Sequence, residues 1–300
     1  MSVATSDLRR WYIIGAPFLW LLIFFLIPFF IVFKLSLSDV ATAIPPYTPT
    51  FSWSTGIGAF LSQLDFENYS FIFGDSLYIN SYLSSLKIAF ISTLLTLLVA
   101  YPMAYGMARA PKSWQPTLMM LVILPFWTSF LIRIYAWIAI LKPEGFLSIF
   151  LIKLGLITEP LQIMNTTTAV YIGIVYSYLP FMILPLYASL EKINPSLLEA
   201  AQDLGSQPWR AFWQVTFPLS LPGVFAGCLL VFIPAVGEFV IPDLLGGSET
   251  LMIGKTLWTE FFNNRDWPLA SAVAVLLLLV LIVPIVLFQR QQEAVREAGR

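Results

Sequence analysis

The chain has 300 residues, 58% of them hydrophobic and 11% charged, with no histidine and a net charge of −1. Soluble domains carry about 25% charged and about 45–50% apolar residues, so one or two soluble domains of this length could not hide so much apolar surface, and lipid is the expected solvent. The missing histidine removes His-based triads, His acid–base chemistry and nearly all zinc sites, and the balanced charge leaves no basic patch for nucleic acid.

A spanning helix needs about 20 mostly apolar residues. Six stretches fit: 12–35, 84–108, 116–141, 168–190, 221–241 and 269–288. The first is too long for a signal-peptide core and no A-x-A-like site closes it, so it reads as a permanent helix. Arg9 and Arg10 precede it. Later loops on the same side hold Arg109 and Lys112, then Lys192 and Arg210, and the tail holds Arg290, Arg296 and Arg300. The loop 36–83 has no Lys or Arg and carries Asp39, Asp65, Glu67 and Asp75; the other loops on that side mix Lys142, Lys153, Lys255 and Arg265 with acids. The bias predicts cytoplasmic N- and C-termini and a periplasmic loop 36–83. Pro17, Pro28, Pro102, Pro125, Pro180, Pro185, Pro234 and Pro284 fall within the apolar stretches. They mark either helices that bend around a cavity or the ordinary tolerance of spanning helices for proline. Cys228, the only cysteine, lies in an apolar run and reads as a small core hydrophobe.

Between the fourth and fifth stretches lies a polar loop, 191–222. Asn194 can cap a helix with Pro195 at its first position. Leu197, Ala201 and Leu204 then share a face, while Glu199, Gln202 and Asp203 point elsewhere. Gly205 is placed to end the helix in a left-handed turn. A second short helix is predicted from Pro208, with Trp209, Phe212 and Trp213 on one face. The product is a helix–turn–helix outside the bilayer, with Ala200 and Ala201 allowing close docking. A membrane-surface helix is the competing reading, against which stands the lack of a basic polar face.

Glu199-Ala200-Ala201, Gly205 after three further residues, and Val215-Thr216-Phe217-Pro218 after nine more resemble the EAA loop of ABC importer permeases, E-A-A-x3-G-x9-I-x-L-P. Val215 and Phe217 stand where that family usually has Ile and Leu. The run Leu124-Pro125-Phe126-Trp127-Thr128-Ser129-Phe130-Leu131-Ile132-Arg133 is similar to the polyamine importer permeases. So are Gly237-Glu238-Phe239-Val240-Ile241-Pro242-Asp243-Leu244-Leu245-Gly246-Gly247, Asn264-Arg265-Asp266-Trp267-Pro268 and, in the long loop, Glu67-Asn68-Tyr69, the last most of all to the putrescine-type first permease. The resemblance spans nearly the whole chain. It implies an all-α integral membrane protein of the type I ABC importer fold, one domain over 1–300, with 191–220 as the coupling loop. Glu199, Ala200, Ala201, Asp203, Gly205 and Pro218 would then meet a cytoplasmic ATPase, a dimer that holds the ATP and Mg. The implied partners also include a second homologous permease and a periplasmic polyamine-binding protein. No cofactor is expected on this chain.

Arg133 and Glu238 lie in or near apolar helices, where a charge costs about 2.5–3.5 kcal/mol and faces a partner or a wet cavity. They either pair, tying the third helix to the fifth, or Glu238 lines the substrate path. The acids and aromatics around it favour the path: Phe239, Asp243, Trp258, Glu260, Asp266 and Trp267. Carboxylates neutralise ammonium groups, and aromatic faces contact both ammonium and methylene, at about 0.5–2 kcal/mol per cation–π contact. Trp127, Tyr135 and Trp137 can add a second wall, although interfacial placement suits Trp137 and Trp258 better. Glu238 and Asp243 are expected near the outer end of the fifth helix, with Pro242 breaking it between them. Gly254-Lys255-Thr256 is no phosphate loop, because Glu249 stands where the leading glycine is needed. Asp65 and Glu67 read as a solvated face. Three rivals remain: the same architecture with another small solute, an ion-coupled secondary transporter, and a membrane enzyme, which the absence of histidine and metal clusters disfavours.

Overall fold

The computed structural model describes residues 14–50, 56–248 and 250–298. Six helices are long and apolar enough to cross a membrane. In chain order the described elements are α1 (Ile14–Ser36), a hairpin of β1 (Asp39–Val40) and β2 (Tyr47–Thr48), α2 (Ile57–Leu61), α3 (Glu67–Gly74) and α4 (Ser76–Arg109). Then come α5 (Gln115–Ile123), α6 (Phe130–Leu141), α7 (Phe146–Lys153), α8 (Thr167–Leu190) and α9 (Pro195–Asp203). The chain ends with α10 (Pro208–Val236), α11 (Val240–Leu244), α12 (Ile253–Trp258) and α13 (Trp267–Ala298).

Two compact units divide the chain, one built from residues 1–79 and 257–280, the other from 80–256 and 281–300. In the first, the acid-rich loop is tied down. Lys34 Nζ donates to the Pro49 carbonyl at 2.6 Å and lies 4.3 Å from the Tyr47 ring and 5.4 Å from that of Phe60. Asn68 Nδ2 donates to the carbonyls of Ser36 and Ser38. The hairpin pairs Asp39 with Thr48 and Val40 with Tyr47. Asp75 Oδ1 accepts from the Leu77 N–H at 2.8 Å, a cap that starts α4 at Ser76 rather than at 84 as hydropathy predicts.

In the second unit, α8 is the central helix, and α10 packs along it. The contact is close because Gly223 lies against Pro185 and Ser189, and Gly227 against Met182. Ala100, Ala104, Met107, Met182, Ile183, Leu186, Val224 and Val231 complete the core there.

Two expectations are corrected. The third stretch is not one helix over 116–141. It breaks after Ile123 into a 3₁₀ turn, Leu124–Trp127, and resumes at Phe130. Pro125 explains the break: its nitrogen cannot donate, and its own carbonyl accepts from both the Thr128 N–H and Thr128 Oγ1. The stretch of spanning length there is instead Phe130–Lys153, made of α6 and α7 with a turn at 142–145 between them. The fifth helix stops at Val236, before Glu238, so the break precedes Pro242, which sits inside α11. The other internal prolines, Pro102, Pro180, Pro185, Pro222, Pro234 and Pro284, are carried within continuous helices.

Candidate functional site

The polar loop builds as its residues dictate. Asn194 Oδ1 accepts from the Ser196 N–H at 3.1 Å, and Pro195 opens α9. Gly205 has φ +81°, with its N–H on the Gln202 carbonyl and the Ser206 N–H on that of Ala201. Those two bonds form the Schellman pair, which satisfies carbonyls that a helix end otherwise leaves open. No residue of α9 is buried within the chain. Leu204 is 89% exposed and Trp209 is 68% exposed, with Leu197 and Trp213 also open. An apolar face on a rigid, capped helix is thus free to be covered. The expected second short helix is instead the first turns of α10. A π turn, Phe212–Thr216, joins them, with the Phe217 N–H bonded to the Phe212 carbonyl immediately before Pro218. The wide turn lets the helix absorb a residue that has no N–H to give. Trp209, Phe212, Trp213 and Phe217 pack as one aromatic cluster there, joined by Tyr101. Glu199, Ala200, Asp203 and Pro218 are exposed, and Ala201 is half-buried.

A second cluster gathers around Glu238, which is only 8% exposed. Its Oε1 accepts the N–H groups of Phe239, Val240 and Ile241 at 3.1, 3.0 and 3.4 Å, capping α11, and its Oε2 accepts from the Tyr178 hydroxyl. Tyr178 lies halfway along α8, so the carboxylate, two residues past the end of α10 as the sequence leads one to expect, sits against the middle of α8. The reason is the early stop of α10, which turns Glu238 back towards α8. A cavity of about 410 Å³ opens here, lined by Phe126, Arg133, Tyr178, Phe181, Glu238 and Phe239 among others. Arg133 shares this cavity but makes no ion pair with Glu238. The two ion pairs found among the described residues are Lys112–Glu191 at 3.3 Å and Lys255–Asp243 at 3.4 Å. The Arg133 guanidinium instead stands 5.1 Å from the Phe126 ring and 5.6 Å from that of Phe130. Gly254 packs closely against the break: a Cβ there would fall 2.3 Å from the Gly237 carbonyl oxygen.

The remaining predicted path residues do not join this cavity. Asp243 is largely open and paired with Lys255. Trp127 is 75% exposed, and Tyr135 is exposed too. Trp137 stacks edge-on against Tyr176. Trp258, Glu260 and Trp267 belong to the other unit. There Glu260 accepts from the Tyr78 hydroxyl at 2.9 Å and from Asn264 at 2.7 Å, Trp258 packs on Phe262, and Trp267 stacks on Phe261 at 5.2 Å. Burial raises the Asp266 carboxyl, against a hydrogen bond from the Leu269 N–H that lowers it. Asp39, Asp65 and Glu67 bring three carboxylates within 4.8 Å of one another, all exposed, and Asp65 accepts from the Glu67 N–H. Sequence reasoning missed Tyr178, whose only signal is a hydroxyl in an apolar run.

Six spanning-length helices, an exposed capped loop and a buried carboxylate in a mid-helix cavity are the features of a multi-pass membrane protein. The family described as "Binding-protein-dependent transport system inner membrane component" matches residues 8–294, and the chain belongs to it. The spermidine/putrescine transport system permease protein PotB of Haemophilus influenzae is 40% identical over 273 residues, covering 91% of this chain and 90% of that one. The protein of the same name from Escherichia coli (strain K12) is 44% identical over 224 residues, covering 75% and 81%. A solved bacterial alginate ABC transporter, in complex with an alginate pentasaccharide-bound periplasmic protein, has a chain that superposes with a TM-score of 0.71 at 16% identity, over 97% of each chain, which shows the fold.

Proposed function

We propose that this chain is the permease subunit through which polyamines, putrescine and/or spermidine, cross the bacterial inner membrane, powered by a separate ATPase. The observation that carries the cargo is Glu238, a carboxylate held rigidly in a cavity walled by aromatic rings. A polyamine is a flexible row of ammonium groups and methylenes. The carboxylate neutralises an ammonium, and Phe126, Phe181 and Phe239 meet methylene and ammonium alike. The names of the relatives from H. influenzae and E. coli support the same cargo.

In this reading the coupling loop seats in the ATPase, through Glu199, Ala200, Ala201 and Asp203 of α9, the turn at Gly205, and Pro218 in α10. The short turn after Gly205 passes its displacement into α10, whose far end carries Glu238. ATP and Mg stay on the ATPase dimer, and the chain itself has no catalytic role. A second homologous permease completes the path, and a periplasmic binding protein delivers cargo. Both termini lie in the cytoplasm. Purifying the complex with the products of its genomic neighbours tests this directly. Putrescine or spermidine should stimulate ATP hydrolysis in the presence of the binding protein. Stimulation by another solute and not by polyamines would remove the cargo and keep the permease, while uptake without any ATPase would point to ion coupling. The same architecture with a different small solute is the second reading, and Arg133 favours it, because a buried guanidinium attracts a solute that carries an acceptor.

A further inference from the structure

The cavity around Glu238 holds two opposite charges that do not touch. Arg133 is 9% exposed, its Nε is buried without a hydrogen-bond partner, and its guanidinium rests by Phe126 and Phe130. A buried N–H donor without an acceptor is unfavourable, and the aromatic faces beside the guanidinium compensate only in part. Glu238 is fixed by other donors. Three backbone N–H groups occupy Oε1, while Oε2 accepts only from Tyr178. A carboxylate oxygen accepts about two hydrogen bonds, so Oε2 keeps capacity for one more donor.

We propose that Arg133 is a tethered cation that competes with the cargo for Glu238 and so sets how weakly the cavity holds a polyamine. This rests on the polyamine reading of the site. A fixed, buried carboxylate with no counter-ion would hold a dication too tightly for passage, and transport needs binding that is favourable on entry yet weak enough to release. Arg133 supplies the counter-ion from the same cavity. Its long side chain can leave the rings of Phe126 and Phe130 for Oε2 when an ammonium departs, and return when one arrives. The rings are the resting place that keeps the guanidinium near without fixing it on Glu238. A purely structural arginine would be expected to hold its acceptor continuously, and this one holds none through Nε.

The test is equilibrium binding of radiolabelled putrescine and spermidine to the purified permease–ATPase complex without the binding protein, paired with uptake into proteoliposomes with the binding protein present. R133Q should bind polyamine about tenfold more tightly while its maximal uptake rate falls. R133K keeps the charge but stacks less well on an aromatic face, so it should fall closer to the parent than to R133Q. E238Q should lose binding. If R133Q binds polyamine no more tightly than the parent, or if R133K behaves like R133Q, the tethered-cation assignment is overturned while the cargo stands. If the parent complex neither binds nor takes up polyamine, both fall. Should R133Q fail to assemble, F130L gives the opposite arm: losing a resting ring drives Arg133 onto Glu238 and weakens polyamine binding severalfold. Unchanged binding in F130L would overturn the proposal as well.

Discussion

Glu238 and Asp243 look equivalent in the sequence, two acids five residues apart, but their surroundings separate them. Glu238 is buried and lines the cavity; Asp243 is mostly open and already paired with Lys255. Hydrogen bonds to charged groups are worth about 1.5–3 kcal/mol, and exposed ion pairs about 0–1 kcal/mol. Glu238→Gln keeps an oxygen for the α11 N–H groups and removes the charge, so polyamine uptake should fall about tenfold or more at unchanged membrane abundance. Asp243→Asn should stay within about twofold of the parent. Equal losses in a transport assay of the two variants would return Asp243 to the path and refute the cavity as the site. Glu238 itself was legible, because an acid in an apolar stretch stands out. Its partners were not. Tyr178 is 60 positions away, and nothing in an apolar run says that its hydroxyl will meet a carboxylate.

Elements whose ends are set by local chemistry were readable, and those set by packing were not. Asn194, Pro195 and Gly205 announce the bounds of α9 through caps and a left-handed turn, and the helix follows them. The break at 124–129 and the early stop at Val236 escaped, since hydropathy counts apolar residues and does not register where the backbone turns. Two predictions belong here. A Cβ at Gly205 would meet nothing within 4 Å, so only the left-handed backbone opposes substitution, at about 1–2 kcal/mol for a non-glycine residue. Gly205→Ala should therefore keep most transport. Gly205→Glu, which adds a carboxylate to the open face of the loop, should abolish polyamine-stimulated ATP hydrolysis with the protein still in the membrane. Normal coupling in Gly205→Glu would remove α9 from the ATPase contact. The second concerns the α8–α10 seam. A Cβ at Gly223 would fall 2.7 Å from the Pro185 carbonyl oxygen and 2.6 Å from Ser189 Cβ, whereas at Gly227 the nearest atom is the flexible Met182 sulfur. Overpacking costs about 1–3 kcal/mol. Gly223→Ala should lower the melting temperature in detergent more than Gly227→Ala, and the reverse order would mean that the seam is not tightest at Gly223.

At the scale of the whole molecule, orientation is the property from which the transport reading draws its direction. The Lys/Arg distribution places the loops after the second and fourth predicted helices on one side. Lys112 and Glu191, one from each loop, lie 3.3 Å apart, so those loops do share a face of their unit. At the other end of α8, the Asn165 N–H meets the Leu245 carbonyl at 3.0 Å, gathering the loops before the fourth helix and after the fifth. The geometry therefore fixes which loops go together, and the sign is a prediction of the positive-inside bias, by which Lys and Arg near spanning ends are expected in the cytoplasm. Single cysteines test that sign. Gln63 lies in the acid-rich loop and Gln207 follows α9; both are exposed. In a Cys228→Ala background, Gln63→Cys should react with an impermeant thiol reagent in spheroplasts, and Gln207→Cys only after the membrane is opened. Labelling of Gln207→Cys from outside would invert the chain. The open face of α9 would then point away from any cytoplasmic ATPase, and the coupling assignment would fall with the topology, whatever the cargo.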